Sequence, residues 1–95
     1  MARAFIHSGN RHLIEVCSAY FEVYGHTVVN SGPADVAIID LDYGRPPAVE
    51  ARIQVCISCR DRRRNELPAG ALFRLKPVDL DFMMDCIMDM LEQPV

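Results

Sequence analysis

Ninety-five residues allow one domain around one core, near the lower end of the usual size range. The 51% hydrophobic share is globular, no segment approaches the ~18 apolar residues of a membrane helix, and Met1 to His7 turns polar too soon for a signal peptide. A net charge of −3 gives no general reason to expect nucleic-acid binding, so the reading is a cytoplasmic chain without membrane or direct nucleic-acid contact.

Arg3 to His7 is the first strand candidate, followed by Ser8-Gly9-Asn10 as a loop with a possible N-cap. From Arg11 to Tyr24, the apolar residues Leu13, Ile14, Cys17, Tyr20, Phe21 and Tyr24 recur at helical spacing. Gly25 ends that helix, because glycine adopts the left-handed conformation of a helix terminus without steric cost. Thr27 to Asn30 reads as a short strand, Ser31-Gly32-Pro33 as a turn, and Val36 to Asp40 as a strand closing on an acid.

Between Leu41 and Arg52, Gly44, Pro46 and Pro47 leave room for one helical turn at most. Ile53 to Ser58 is the fourth strand, and the stretch from Cys59 to Gly70 has room for a short arginine-rich helix before Pro68. Ala71 to Leu75 is the fifth. Asp79 then caps a last helix running to about Glu92, with Leu80, Met83, Met84, Ile87 and Leu91 facing inward.

Three segments together resemble the receiver domain of bacterial two-component response regulators over nearly the whole chain. They are Asp35-Val36-Ala37-Ile38-Ile39-Asp40-Leu41, Val55-Cys56-Ile57-Ser58-Cys59, and Phe73-Arg74-Leu75-Lys76-Pro77-Val78-Asp79 leading into the terminal helix. The resemblance implies an α/β, truncated flavodoxin-like (receiver-like) fold with a mostly parallel sheet of about five strands, spanning 1–95. It also implies Asp40 as phosphoacceptor, Ser58 as the hydroxyl that senses the phosphoryl group, Phe73 as aromatic switch and Lys76 as the cation pairing with the phosphoryl group. Parallel strand ends converge at one sheet edge, where ligands bind, so the bottom-up chemistry agrees with that grouping.

Two departures qualify the resemblance. A receiver carries two acids after its first strand to hold a divalent cation, whereas this chain has His7-Ser8-Gly9 there; Asp42 compensates in part. Only the five residues Ser31 to Asp35 separate the second and third strands, too few for a helical crossover of about a dozen or more. The expected fold therefore has its first and last helices on one face and the opposite face largely uncovered. The five-residue connector also permits a local hairpin.

The site at Asp40, Ser58, Lys76 and Phe73 is thus expected to be vestigial, without a cofactor, a metal or enzymatic activity. Cys56-Ile57-Ser58-Cys59 is a CxxC, but Cys56 lies within a strand, which argues against redox chemistry, and a zinc site would need two more ligands, for which His7, His12 and Cys17 show no recognisable pairing with it. Arg60, Arg62, Arg63 and Arg64 form the dense basic cluster, a candidate contact for phosphate or a ligand. Asp81, Asp85, Asp89 and Glu92 form an acidic stripe on the last helix, where like charges four apart repel unless a basic surface faces them.

The expected function is a degenerate receiver acting through protein contact or dimerisation in bacterial signalling. A homodimer, a partner protein or an output domain would cover the open sheet face. The alternatives are a minimal phosphoacceptor using Asp40 and a small sensor binding a phosphorylated ligand at Arg60 to Arg64.

Overall fold

The computed structural model describes residues 1–93. Its elements are β1 (Arg3–His7), α1 (Arg11–Val23), β2 (Thr27–Val29), β3 (Ala34–Asp40), β4 (Ala51–Ser58), a 3-10 helix (Asp61–Glu66), β5 (Leu72–Leu75) and α2 (Leu80–Glu92). The five strands form one sheet in the order β2-β1-β3-β4-β5, with every neighbouring pair parallel.

Both α-helices lie on one face. Asn10 caps α1 by accepting from the Leu13 amide, and Asp79 caps α2 by accepting from Phe82, each relieving an amide that lacks a partner at a helix start. Leu13, Cys17 and Phe21 of α1, with Met83, Met84, Ile87 and Met88 of α2, close over Ala4, Val36, Ile38, Val55 and Ile57 of the strands. Tyr24, placed on the apolar stripe by its spacing, is instead 55% exposed. Val23 is the last helical residue, and Gly25 at φ +81° turns the chain away.

β2 is parallel to β1, which excludes the hairpin that the five-residue connector permits. Its brevity explains how the connection works without a helix. Val29 lies level with Phe5, which lies level with Ala37, so the chain must fall back only three residues to begin β3 at Ala34. Two strand spacings sideways and three residues back make a diagonal of about 14 Å, within the ~17 Å reach of five extended residues. The longer crossover requirement belongs to strands that must be traversed along their whole length.

The opposite face carries no α-helix among the described residues, as the connector lengths require, but its centre is closed by loops. Phe5, Ala37, Ile39, Leu41, Cys56 and Phe73 are buried there, with Val29, Val49, Leu67 and Ala71 packed against them. Phe5 is only 8% exposed on this face, while Val28 and Leu72 pack on the helical face. The loops thus supply much of the cover expected from a partner. The segment from Leu41 to Glu50 forms no helical turn, and the arginine-rich segment forms a 3-10 helix. Among the described residues, no helix is long and apolar enough to cross a membrane.

Candidate functional site

Asp40, Ser58 and Lys76 meet at the C-terminal edge of the sheet, each carried there by the end of a different parallel strand. Asp40 is the last residue of β3, Ser58 the last of β4, and Lys76 follows β5. Leu41 N–H bonds to the Ile57 carbonyl and Lys76 N–H to the Ser58 carbonyl, so the backbone ladder holds these ends in register.

Both oxygens of the buried Asp40 carboxylate are engaged by the protein. Oδ1 accepts from Lys76 Nζ at 2.8 Å and from the Asp42 amide at 3.0 Å, and Oδ2 accepts from Ser8 Oγ at 2.9 Å. Ser8 Oγ in turn accepts from the Asn10 amide at 3.1 Å. Next to Ser8, the Tyr43 ring covers Gly9: a Cβ there would lie 2.5 Å from Tyr43 Cδ1, so this close approach requires glycine or a displaced ring.

Ser58 is directed away from Asp40. Its hydroxyl donates to Asp42 Oδ1 at 2.7 Å, while Asp42 Oδ2 accepts from the Cys59 amide at 2.8 Å and lies 3.2 Å from Lys76 Nζ. Burial pushes the Asp42 carboxyl upward, but the hydrogen bonds from Ser58, Cys59 and Lys76 outweigh it and hold the group well below the usual carboxylate range. For Lys76, burial lowers the ammonium pKa, while its bonds to Asp40 and Asp42 outweigh that effect and raise it.

Asp40, Ser58 and Lys76 lie at one edge, but only Lys76 bonds Asp40, while Ser58 bonds Asp42, to which sequence reasoning gave only a compensating role. It did not identify the hydroxyl of Ser8 as a partner of Asp40. The signal for Ser8 was positional: the first residue past a central strand opens onto the same edge as Asp40.

Phe73 lies in the loop-side core, with the Arg64 guanidinium 4.9 Å from its ring centroid, an arrangement that suits cation–π attraction. The arginine cluster is partly committed to its own segment. Arg63 pairs with Glu66 at 2.7 Å and donates to the Leu41 carbonyl at 2.9 Å, and Arg64 pairs with Asp61 at 3.0 Å. Arg60 and Arg62 are exposed. The acidic stripe Asp81, Asp85, Asp89 and Glu92 is exposed along α2, with Asp81 accepting from the Tyr20 hydroxyl at 2.9 Å. The CxxC cysteines are free thiols, Cys56 buried and Cys59 exposed, and burial raises the pKa of Cys56.

These elements define a receiver-like fold with a carboxylate–ammonium site at the C-terminal edge of its sheet. Solved structures agree on the fold. A CheY-like response regulator receiver domain from Methanospirillum hungatei JF-1 superposes with a TM-score of 0.68 at 14% identity, covering 97% of this chain and 94% of that one. The response regulator TrrA from Thermotoga maritima, solved in complex with Mg²⁺-BeF, gives 0.64 at 13% identity over 95% and 99%. The N-terminal domain of a response regulator/sensory box/GGDEF three-domain protein from Carboxydothermus hydrogenoformans gives 0.63 at 11% identity over 94% and 93%. No family model and no curated protein matches the sequence.

The divalent cation that such a fold implies does not fit this donor set. A hard cation wants several carboxylate or carbonyl oxygens, whereas Asp40 here meets a serine hydroxyl and the Lys76 ammonium stands between Asp40 and Asp42.

Proposed function

We propose that this chain is a degenerate receiver-like signalling module that works through protein contact or dimerisation, independently of metal-dependent phosphorylation, and regulates an output domain or partner. The observation that carries this reading is the internal engagement of Asp40, whose carboxylate bonds Lys76, Ser8 and the Asp42 amide. A nucleophilic carboxylate needs a free oxygen and neutralisation of the incoming phosphoryl charge, and here the ammonium already serves two carboxylates.

The contact surface that fits best is α2, where Asp81, Asp85 and Asp89 flank Phe82, 61% exposed. A two-fold pair through this helix would bury Phe82 and set the acidic stripe against exposed basic residues such as Arg60 and Arg62. Sedimentation at low and high salt tests it. A dimer weakened by salt is expected; a monomer at both salt concentrations would remove self-association from the proposal.

A second reading is favoured by the 2.8 Å pairing of Lys76 with Asp40, which also suits a minimal phosphoacceptor. Incubation with a small phosphoryl donor and Mg²⁺, followed by intact-mass measurement, decides between them. No mass gain is expected. A gain abolished by Asp40→Asn would overturn the degenerate reading.

A further inference from the structure

We propose that the carboxylate of Asp42 is a built-in occupant of an oxyanion seat formed by the Ser58 hydroxyl, the Cys59 amide and the Lys76 ammonium, and that the seat takes a small tetrahedral oxyanion such as phosphate once that carboxylate is removed. This deepens the degenerate-receiver reading and rests on it: an edge that holds its own anion has no need of a transferred phosphoryl group.

Three donors from two strand ends, those of β4 and β5, converge on one side chain. Ser58 Oγ donates to Oδ1 at 2.7 Å, Cys59 N–H donates to Oδ2 at 2.8 Å, and Lys76 Nζ lies 3.2 Å from Oδ2. The Ser58 hydroxyl is fully buried and accepts from the Arg60 amide at 3.0 Å, which leaves its own proton for Asp42. A hydroxyl, an amide and an ammonium around one anion are the elements of oxyanion recognition: short charge-assisted bonds from donors held rigidly by strand ends.

The identity of the occupant follows from the geometry. Asp40 faces Ser8 and receives neither the Ser58 hydroxyl nor the Cys59 amide, whereas Asp42 receives both. Asp42 is placed for this by the turn after β3, in which the Tyr43 amide bonds back to the Asp40 carbonyl.

The seat is also reachable. The Asp42 side chain is 22% exposed and lines a cleft of about 280 Å³ with Leu41, Gly44, Cys59, Arg60 and Arg63. Truncation at Asp42 would enlarge that cleft beside Arg60 and leave the donors facing it. Leaving buried donors without an acceptor is costly, and an anion from solution would relieve that cost.

The test is titration of the ¹⁵N-labelled full chain with inorganic phosphate, followed at the Cys59 and Arg60 amides. The unaltered chain is expected to show no saturable shift, because its seat is filled. Asp42→Ala is expected to saturate with an affinity at least about tenfold above any residual binding of the parent, the equivalent of ~1.4 kcal/mol. Adding Ser58→Ala should abolish the gain. Asp61→Asn, which removes an acid on the neighbouring basic segment, should produce none.

Saturation of the unaltered chain at equal affinity, a folded Asp42→Ala without a gain, or the same gain from Asp61→Asn would each overturn the proposal. Should Asp42→Ala not fold, the Asp42 carboxyl ¹³C resonance of the unaltered chain decides. It should remain that of an ionised group through the ordinary carboxylate range, and titration at the ordinary value would overturn the seat. Phosphoryl transfer to Asp40 of the unaltered chain would defeat the degenerate reading instead, so the two failures are distinguishable.

Discussion

Replacing Lys76 with methionine keeps most of the side-chain volume and removes the cation that stands 2.8 Å from Asp40 and 3.2 Å from Asp42. The Asp40 side chain is only 4% exposed, so water cannot take over the role of the ammonium in full. Breaking a fully buried pair costs about 3–5 kcal/mol, and the partial exposure of Lys76 and Asp42 lets solvent recover part of this, leaving roughly 2–3 kcal/mol. In a domain of this size, such a loss lowers the Tm by roughly 10–20 °C.

The loss should also depend on pH with a definite sign. Lys76 has its pKa raised by folding, so its contribution is fully present below its ordinary value of 10.5 and disappears as pH climbs through the folded value. Asp42 has its pKa lowered, so its contribution is present above its ordinary value of 3.8 and is lost as pH falls towards the folded one. The gap between parent and Lys76→Met should therefore be widest from mildly acidic to mildly alkaline pH and should narrow in acid. Urea denaturation followed by circular dichroism across that range measures it. A loss below ~0.5 kcal/mol at neutral pH, or an undiminished gap in acid, would refute the reasoning.

Ile87 is fully buried between α2 and the sheet, so Ile87→Ala should cost about 2–5 kcal/mol, read from the same denaturation curves. Asp79 accepts from the Phe82 amide as the N-cap of α2, so Asp79→Ala should cost about 0.5–2 kcal/mol with its largest amide-exchange effect in the first turn of that helix. Because Ser8 stands beside Asp40 where an acid would be needed, millimolar Mg²⁺ should leave the Asp40 and Lys76 amides without saturable shifts in a titration.

The helices were the most legible part of the chain, because local chemistry sets them. The Asp79 cap and the Met84–Ile87–Leu91 spacing specify α2 without reference to any other element, and Gly25 marks the end of α1. Met88 escaped notice because an apolar face wider than the expected stripe is needed once α2 also packs on α1. The path from β2 to β3 was not legible. It depends on β2 having only three residues, and pairing with β1 rather than local propensity sets that length.

The site divides along the same line. Asp40, Ser58 and Lys76 each end or follow an apolar strand, so alternation and strand ends brought them to one edge. Which acid the Ser58 hydroxyl chooses depends on the turn after β3, and that turn is specified by a backbone bond between Tyr43 and Asp40 that no spacing rule reveals. The cover given to this face by Val49 and Leu67 was likewise hidden, since irregular loops have no period to read.

The position of β1 has a consequence for the order in which the fold comes together during synthesis. The first strand of this sheet is flanked by β2 on one side and β3 on the other, so it waits for both, while β4 and β5 then add outward in chain order. α2 arrives last and brings Met83, Met84, Ile87 and Met88 to a face on which α1 alone has covered only part of the sheet. A nascent chain halted before Leu80 would present Ile38, Val55 and Ile57 to solvent or to a chaperone. The helix-side core is complete only when α2 docks.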